Sequence, residues 1–358
     1  MARKYIVLAL IFIVSASGCM SNPAFSQAAQ SSAASSQVTD PSIDPHIDPQ
    51  VRSFLKEINK DSTPIWTLPQ PQPQDIITAL QNKFPVDMSG VTITQKTITQ
   101  DGQSVKLYIM TPKRTVAKPG VLFFVHGGVW IVGNFDNHKR LLRDLVVGSG
   151  QVGVFVEYTP LPQAKFPTQL NESYAALKWS SIHASEFGAD GRRIAVVGNS
   201  VGGNMSAALT LMAKDRQGPK IAYQVLLIPA TDASVDTDSY HEFGQGRFLA
   251  RDFMKYGWDL YVPDEKTRDN PYVSPLRAST DQLSGLPPAL VITAENDPLR
   301  DEGEAYARKL KEAGVEVTAV RYNGVIHDFV LLNGIRNVPE VKAAIQQASD
   351  GIREHLAQ

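Results

Sequence analysis

Hydrophobic positions along the chain change their period once, and the change divides the sequence. From Val91 to Pro112, "VTITQKTITQDGQSVKLYIMTP" alternates apolar and polar residues on both sides of Asp101-Gly102. That is the pattern of an antiparallel hairpin closed by a two-residue turn. Beyond it, short continuous apolar runs take over, at Val121–Val125, Val152–Tyr158, Arg193–Gly198, Tyr223–Ile228, Pro288–Ala294 and Glu316–Tyr322. Runs of this length, rich in β-branched residues, read as strands buried on both faces. Helical spacing fills most of the intervals, notably Tyr174–Phe187, Met205–Asp215 and Glu302–Gly314, and again the final Glu340–Leu356. The alternation predicts an α/β fold, a mostly parallel sheet with helices on both faces. The interval from Ile228 to Pro288 is too long for a simple crossover. Its middle, "FLARDFMKYGWDLYV", reads as an aromatic-rich helix and is a candidate lid.

Ahead of the hairpin, "VRSFLKEINK" and "QDIITALQNKF" read as short helices joined by the extended "LPQPQPQ". Residues 19–50 are rich in Ser, Ala, Gln, Asp and Pro and are expected to form a disordered tether, leaving 51–358 as the folded domain. Residues 1–18 have a different character. Arg3 and Lys4 precede an apolar run from Tyr5 to Val14, and small residues follow, which is the layout of an export signal. Cys19, the chain's single cysteine, falls directly after "SASG", as in a bacterial lipobox, and is a candidate for lipidation. Ordinary signal cleavage after Ser17 or Ala28 is the alternative. The expected localisation is therefore export from a bacterial cytoplasm, with a lipid anchor at the membrane or release as a secreted protein.

Bulk composition narrows the function classes. The 358 residues carry 35 basic and 36 acidic side chains with no dense basic run, so nucleic acid is not an expected partner. One cysteine permits no internal disulfide and no cysteine-based zinc site. The sequence reads as having no internal repeat and no second apolar stretch long enough to span a bilayer.

The candidate chemistry centres on "VVGNSVGGNM", where Ser200 stands between Gly198 and Gly202 with Gly203 next. A strand leads in and a helix leads out. A plain turn with Ser200 as helix cap would use such glycines, and so would a nucleophile elbow, G-x-S-x-G. A serine nucleophile needs a base and an orienting acid. Of seven histidines, His327 in "NGVIHDF" follows the last strand and can reach the sheet's carboxyl edge. Between the two, "VITAENDPLRDEG" offers Glu295, Asp297 and Asp301. Asp297 sits in a turn at a strand end, whereas Asp301 looks like a first-turn helix residue. In "FFVHGGVWIVGN", Gly127 and Gly128 can turn N–H groups toward a developing oxyanion, with the Val201 N–H completing the set.

Together, "HGGVW", "GNSVGG", "DPLRDEG" and "HDF" resemble the hormone-sensitive-lipase-like family of α/β-hydrolase esterases, from about Val51 to the end. The resemblance implies an α/β-hydrolase fold with a helical cap, built here from about 51–85 and 230–285. It implies Ser200 as nucleophile, Asp297 as acid, His327 as base and Gly127, Gly128 and Val201 as oxyanion donors. The implied activity is hydrolysis of short-chain acyl esters through an acyl-enzyme, with a small-molecule substrate and neither metal nor organic cofactor. A lipase, amidase or acyltransferase using the same residues is the near alternative, and a non-catalytic binding protein the distant one. Two positions depart from the family pattern. Val129 replaces a third glycine and Asn199 replaces the elbow aspartate. The cap aromatics Phe253, Tyr256, Trp258 and Tyr261 are expected to offer apolar surface over a short acyl chain.

Overall fold

The computed structural model describes residues 40–61 and 63–357. The expected export signal, Cys19 and the first part of the expected tether lie outside the described residues. Eight strands form one sheet in the order β1-β2-β4-β3-β5-β6-β7-β8. These are β1 (Val91–Gln100), β2 (Gln103–Pro112), β3 (Gly120–Val125), β4 (Val152–Glu157), β5 (Asp190–Asn199), β6 (Tyr223–Leu227), β7 (Ala289–Asn296) and β8 (Val317–Ile326). The β1–β2 hairpin is antiparallel and β2 also runs antiparallel to β4, while every pairing from β4 through β8 is parallel.

Period-two geometry explains the apolar runs. In β3, Val121, Phe123 and Val125 face one side, packing in the cluster that holds Leu177 and Met205. Leu122 and Phe124 face the other, with Leu141, Leu145 and Ala344. Helices α4 (Thr168–His183) and α5 (Val201–Asp215) belong to the first layer, and α3 (Phe135–Ser149) and α10 (Pro339–Ala357) to the second. Helix α9 (Arg300–Glu312) joins α5 over β6 and β7 through Ala207, Leu211, Leu226, Val291 and Leu310. With both faces covered, alternation disappears from the sequence, as it must in a doubly covered sheet.

Ahead of the sheet lie α1 (Pro49–Ile58) and α2 (Gln72–Asn82); between β6 and β7 come α6 (Asp238–Phe243), α7 (Arg251–Tyr261) and α8 (Thr280–Leu283). Two differences from the sequence reading stand out. The expected tether ran to residue 50, yet residues 40–50 are folded against the body. Against the expectation of no internal repeat, "DPSIDPHIDPQV" carries a short four-residue one, in which each aspartate accepts the backbone N–H two residues on, Asp40 from Ser42 at 2.8 Å, Asp44 from His46 at 2.9 Å and Asp48 from Gln50 at 2.7 Å. These Asx turns shape the segment so that Ile47 and Val51 are buried and Asp44 pairs with the buried Arg247 at 2.7 Å. Polar composition alone had concealed them. Strand β8 also runs four residues further than its apolar run. Gly324, in the left-handed region at φ 74°, lets the strand pass through "NG" and re-pair Ile326 with Asn296 across a register shift in β7. His327 therefore follows a strand end directly.

Candidate active site

Ser200, Asp297 and His327 follow β5, β7 and β8, so three parallel strands deliver them to one edge of the sheet. Ser200 has φ 56° and ψ −124°, a strained conformation for a residue with a side chain, and its N–H donates to Leu227 O at 2.9 Å. The flanking glycines are required by close approach. A Cβ on Gly198 would stand 2.2 Å from the Gly202 carbonyl oxygen, and one on Gly202 would stand 2.2 Å from Val125 O. The turn can form only where strand, helix and oxyanion loop crowd together without side chains.

His327 Nε2 lies 3.0 Å from Ser200 Oγ, and His327 Nδ1 lies 3.0 and 2.9 Å from the two carboxylate oxygens of Asp297. Since a carboxylate only accepts, Nδ1 carries the proton and Nε2 is left free to accept one from Ser200. All three side chains are buried, and Ser200 and His327 line a cavity. Burial alone would lower the His327 pKa. The charges of Asp297 and Asp328, with the Asp297 hydrogen bond, outweigh that and raise it above the ordinary value. Asp301 is elsewhere, accepting the Ser239 N–H at 2.9 Å and paired with Arg300 at 2.8 Å.

The oxyanion loop differs from the expectation at one residue. The Gly127 N–H donates to Asn199 Oδ1 at 3.1 Å, so it is committed and turned away from the cavity. A Cβ on Gly127 would also meet Asn199 Nδ2 at 2.7 Å, which is why a glycine stands there. Gly128 and Val129 line the cavity instead, and among the described residues neither N–H has a hydrogen-bond acceptor. Val201 is the first residue of α5, whose N–H has no partner within the helix. His126 supports the loop from below. Its Nδ1–H donates to Gly127 O at 2.8 Å, and its ring stacks on Tyr158 at 4.0 Å between centroids. Burial lowers its pKa to about 4, and burial with the neighbouring His126 takes His138 to about 3, so both rings are neutral near pH 7.

The cavity has a volume of about 810 Å³. Its walls come from the cap segments, with Ile65, Trp66, Ile77 and Leu80 from the residues ahead of the sheet and Leu249 and Phe253 from those between β6 and β7. Trp66 and Phe253 stack on each other in that wall at 5.5 Å between centroids. Of the four cap aromatics expected over the acyl chain, only Phe253 lines this space. Trp258 and Tyr261 point to the other side of α7 and pack on Trp130 at 4.6 and 4.0 Å, and Tyr256 is exposed. Helical period explains the split, since Phe253 and Trp258 sit on different sides of the 3.6-residue turn.

Helix α2 ties this cap to the loops that follow β3 and β8, a link the sequence did not disclose. Gln74 Oε1 accepts the Gly133 N–H at 2.7 Å, while Gln81 Nε2 donates to Leu331 O at 3.0 Å and its Oε1 accepts the Asn333 N–H at 2.9 Å. Seven residues apart, the two glutamines share one helix face. Buried Arg140 adds bonds to Val330 O and Leu331 O at 2.7 and 2.8 Å.

Comparison with known proteins agrees with this fold. The family described as alpha/beta hydrolase fold matches residues 122–331. An arylesterase of Saccharolobus solfataricus is 36% identical over 284 residues, covering 78% of this chain and 91% of the relative. An ethyl acetate hydrolase of Pseudomonas putida is 34% identical over 261 residues, covering 72% and 81%. The crystal structure of a thermostable esterase from Pseudomonas putida superposes with a TM-score of 0.85 at 49% identity, covering 87% of this chain and 98% of that one.

Proposed function

The chain belongs to the hormone-sensitive-lipase-like branch of the α/β-hydrolase family and is a carboxylic ester hydrolase, and from that premise we propose that Ser200, His327 and Asp297 carry the reaction on short-chain acyl esters. The observation that carries this reading is the unbroken hydrogen-bond chain from Ser200 Oγ through His327 to Asp297, with Ser200 and His327 lining an apolar cavity. Ser200 Oγ attacks the ester carbonyl carbon as His327 Nε2 takes its proton, and the Asp297 carboxylate stabilises the imidazolium that forms. The carbonyl oxygen, now negative, is received by the N–H groups of Gly128, Val129 and Val201, each worth about 3 kcal/mol in the transition state. His327 returns the proton to the departing alcohol, leaving an acyl-serine. Water repeats the sequence, and the acid and free serine are released. The test is a series of nitrophenyl esters of increasing acyl length, with Ser200→Ala as the blank. Turnover should be greatest between acetate and about hexanoate, with the cap walls limiting longer chains. Equal turnover in Ser200→Ala would refute the assignment.

The basic-then-apolar start and the placing of Cys19 support export with a lipid anchor at that cysteine. Globomycin should block processing, and Cys19→Ser should release the protein or leave it unprocessed. A mature terminus beyond Cys19 found by mass spectrometry would refute the anchor.

A further inference from the structure

Asp328, directly after the proposed base, has no part in the mechanism above, and Asn199 is the departure at the nucleophile elbow. The structure joins the two. Asn199 is fully buried, its Oδ1 accepts the Gly127 N–H at 3.1 Å and its Nδ2 donates to Asp328 Oδ1 at 2.8 Å. Asp328 is itself buried, is held in the left-handed region at φ 57°, and lines the cavity. Its other oxygen, Oδ2, stands 3.9 Å from His327 Nε2, the nitrogen that faces Ser200. That distance is too long for a hydrogen bond but short for two charges in a buried site.

We propose that Asn199 and Asp328 are a matched positioning pair, in which one amide fixes the oxyanion loop and the histidine loop together and presents a second carboxylate to the imidazole on its Nε2 side. The inference rests on the hydrolase reading for its catalytic consequence only. An aspartate at position 199 could still accept the Gly127 N–H, but an ionised carboxylate has no N–H to give Asp328. Two carboxylates would then face each other in a buried site, and one would have to take up a proton. Asn199 removes that conflict. Burial raises the Asp328 pKa above its ordinary value and the Asp297 charge adds to the rise, while the His327 charge and the Asn199 hydrogen bond pull the other way, so the amide favours the ionised carboxylate against that rise.

Other charges near the imidazole are accounted for. Asp297 holds the opposite nitrogen, and Glu302 on α9 is buried, with burial raising its pKa well above the usual carboxylate range. His126 and His138 are neutral there, so they do not titrate in the window of interest. Arg140 bonds the carbonyls of Val330 and Leu331 and remains cationic throughout. Asp40, Lys56, Asp61 and Asp252 line the cavity from exposed positions, where solvent screens them.

The test uses Asp328→Asn, Asn199→Asp and the exchanged double variant. Histidine-labelled protein, with the His327 resonance assigned by loss in His327→Ala, is titrated by ¹³C NMR. In Asp328→Asn the His327 pKa should fall by about one unit, because one of two nearby negative charges is gone. The acid limb of kcat/KM on nitrophenyl acetate should move down by the same amount. Asn199→Asp should lose about tenfold or more in kcat at neutral pH, since a buried hydrogen bond is lost and a like charge gained. Adding Asp328→Asn to it should restore most of the kcat, because the donor and acceptor have exchanged places. The lowered acid limb should persist in the double variant, since the carboxylate then stands on residue 199. An unshifted His327 titration in Asp328→Asn would overturn the proposal, and so would a double variant no better than Asn199→Asp. The NMR readout needs no substrate. A shifted imidazole in a protein without esterase activity would sink the hydrolase reading and leave the pairing intact.

Discussion

Gly257→Ala isolates the contact between cap and oxyanion loop, and its sign is set by two opposed effects. Gly257 is in the interior of α7, where replacing glycine by alanine ordinarily stabilises a helix by about 1 kcal/mol. Here an added Cβ would stand 2.1 Å from Val129 Cγ1 and 3.2 Å from Val129 O. Carbon atoms in good contact are about 3.5 to 4 Å apart, so helix and loop must separate by roughly 1.5 Å. Val129 cannot turn aside. It is β-branched, buried, and held at φ 55° by a loop in which Ile131 and Val132 both bond Gly128 O at 2.9 Å. Overpacking of this kind costs about 1 to 3 kcal/mol, so the net effect should be destabilising by up to about 2 kcal/mol, a fall in Tm of a few degrees. Activity should suffer more, because a misplacement of about 1 Å in the catalytic loop can cost on the order of 10²-fold in kcat. Val129→Ala removes the clashing methyl and leaves Cβ against Cβ at ordinary spacing. Gly257→Ala/Val129→Ala should therefore recover about 1 kcal/mol or more relative to additivity. The assay pairs thermal denaturation with kcat and KM on nitrophenyl acetate for the four proteins. A Gly257→Ala variant that melts at or above the parent and keeps its kcat would refute the reasoning.

Asp297→Asn should lower kcat by about 10³-fold or more, while Asp301→Asn, whose partners are Ser239 and Arg300, should cost less than about tenfold; equal losses in steady-state kinetics would put the choice of acid in doubt. Because His327 must be neutral to act and its pKa is raised, kcat/KM should fall with acid at a pH above the ordinary imidazole value of about 6.5; an acid limb below that value would contradict it. Val129→Gly should raise the ratio of kcat/KM for tert-butyl acetate over ethyl acetate, since Val129 lines the cavity beside Gly128, and it should relieve about 1 kcal/mol of left-handed backbone cost. A ratio unchanged by the substitution would place Val129 away from the alcohol.

The parts of this molecule that the sequence disclosed are those in which local pattern and tertiary environment agree. The runs at Val121–Val125 and Tyr223–Ile228 are apolar because both faces of the sheet are covered, and Ser200, Asp297 and His327 each sit where a strand ends. The ends of β5 and β7 are legible because their apolar runs stop within two residues of them, whereas β8 runs four residues past its own. The features that escaped share a different cause. Apart from the local Asx turns, they depend on a polar side chain meeting a group far away in sequence. Asn199 gives no sign in one dimension that its amide spans from Gly127 to Asp328, and Gln74 and Gln81 read as the polar face of a short helix. The oxyanion loop shows the consequence most directly. Reading "HGGVW" for small residues favours Gly127 as a donor, because glycine is assumed to be present for the freedom of its N–H. The structure gives Gly127 another reason to be glycine, the approach of Asn199, and leaves Val129, the bulkier residue, with the open N–H. A backbone donor is chosen by where its N–H points and not by the size of its side chain. Val129 accepts a left-handed backbone conformation that its own chemistry disfavours, held there by Gly128, Gly257 and the turn to Val132. The strain at Ser200 and the strain at Val129 therefore belong to one construction, in which the surrounding fold stabilises two unfavourable backbone conformations so that a hydroxyl and an N–H both open into the same cavity.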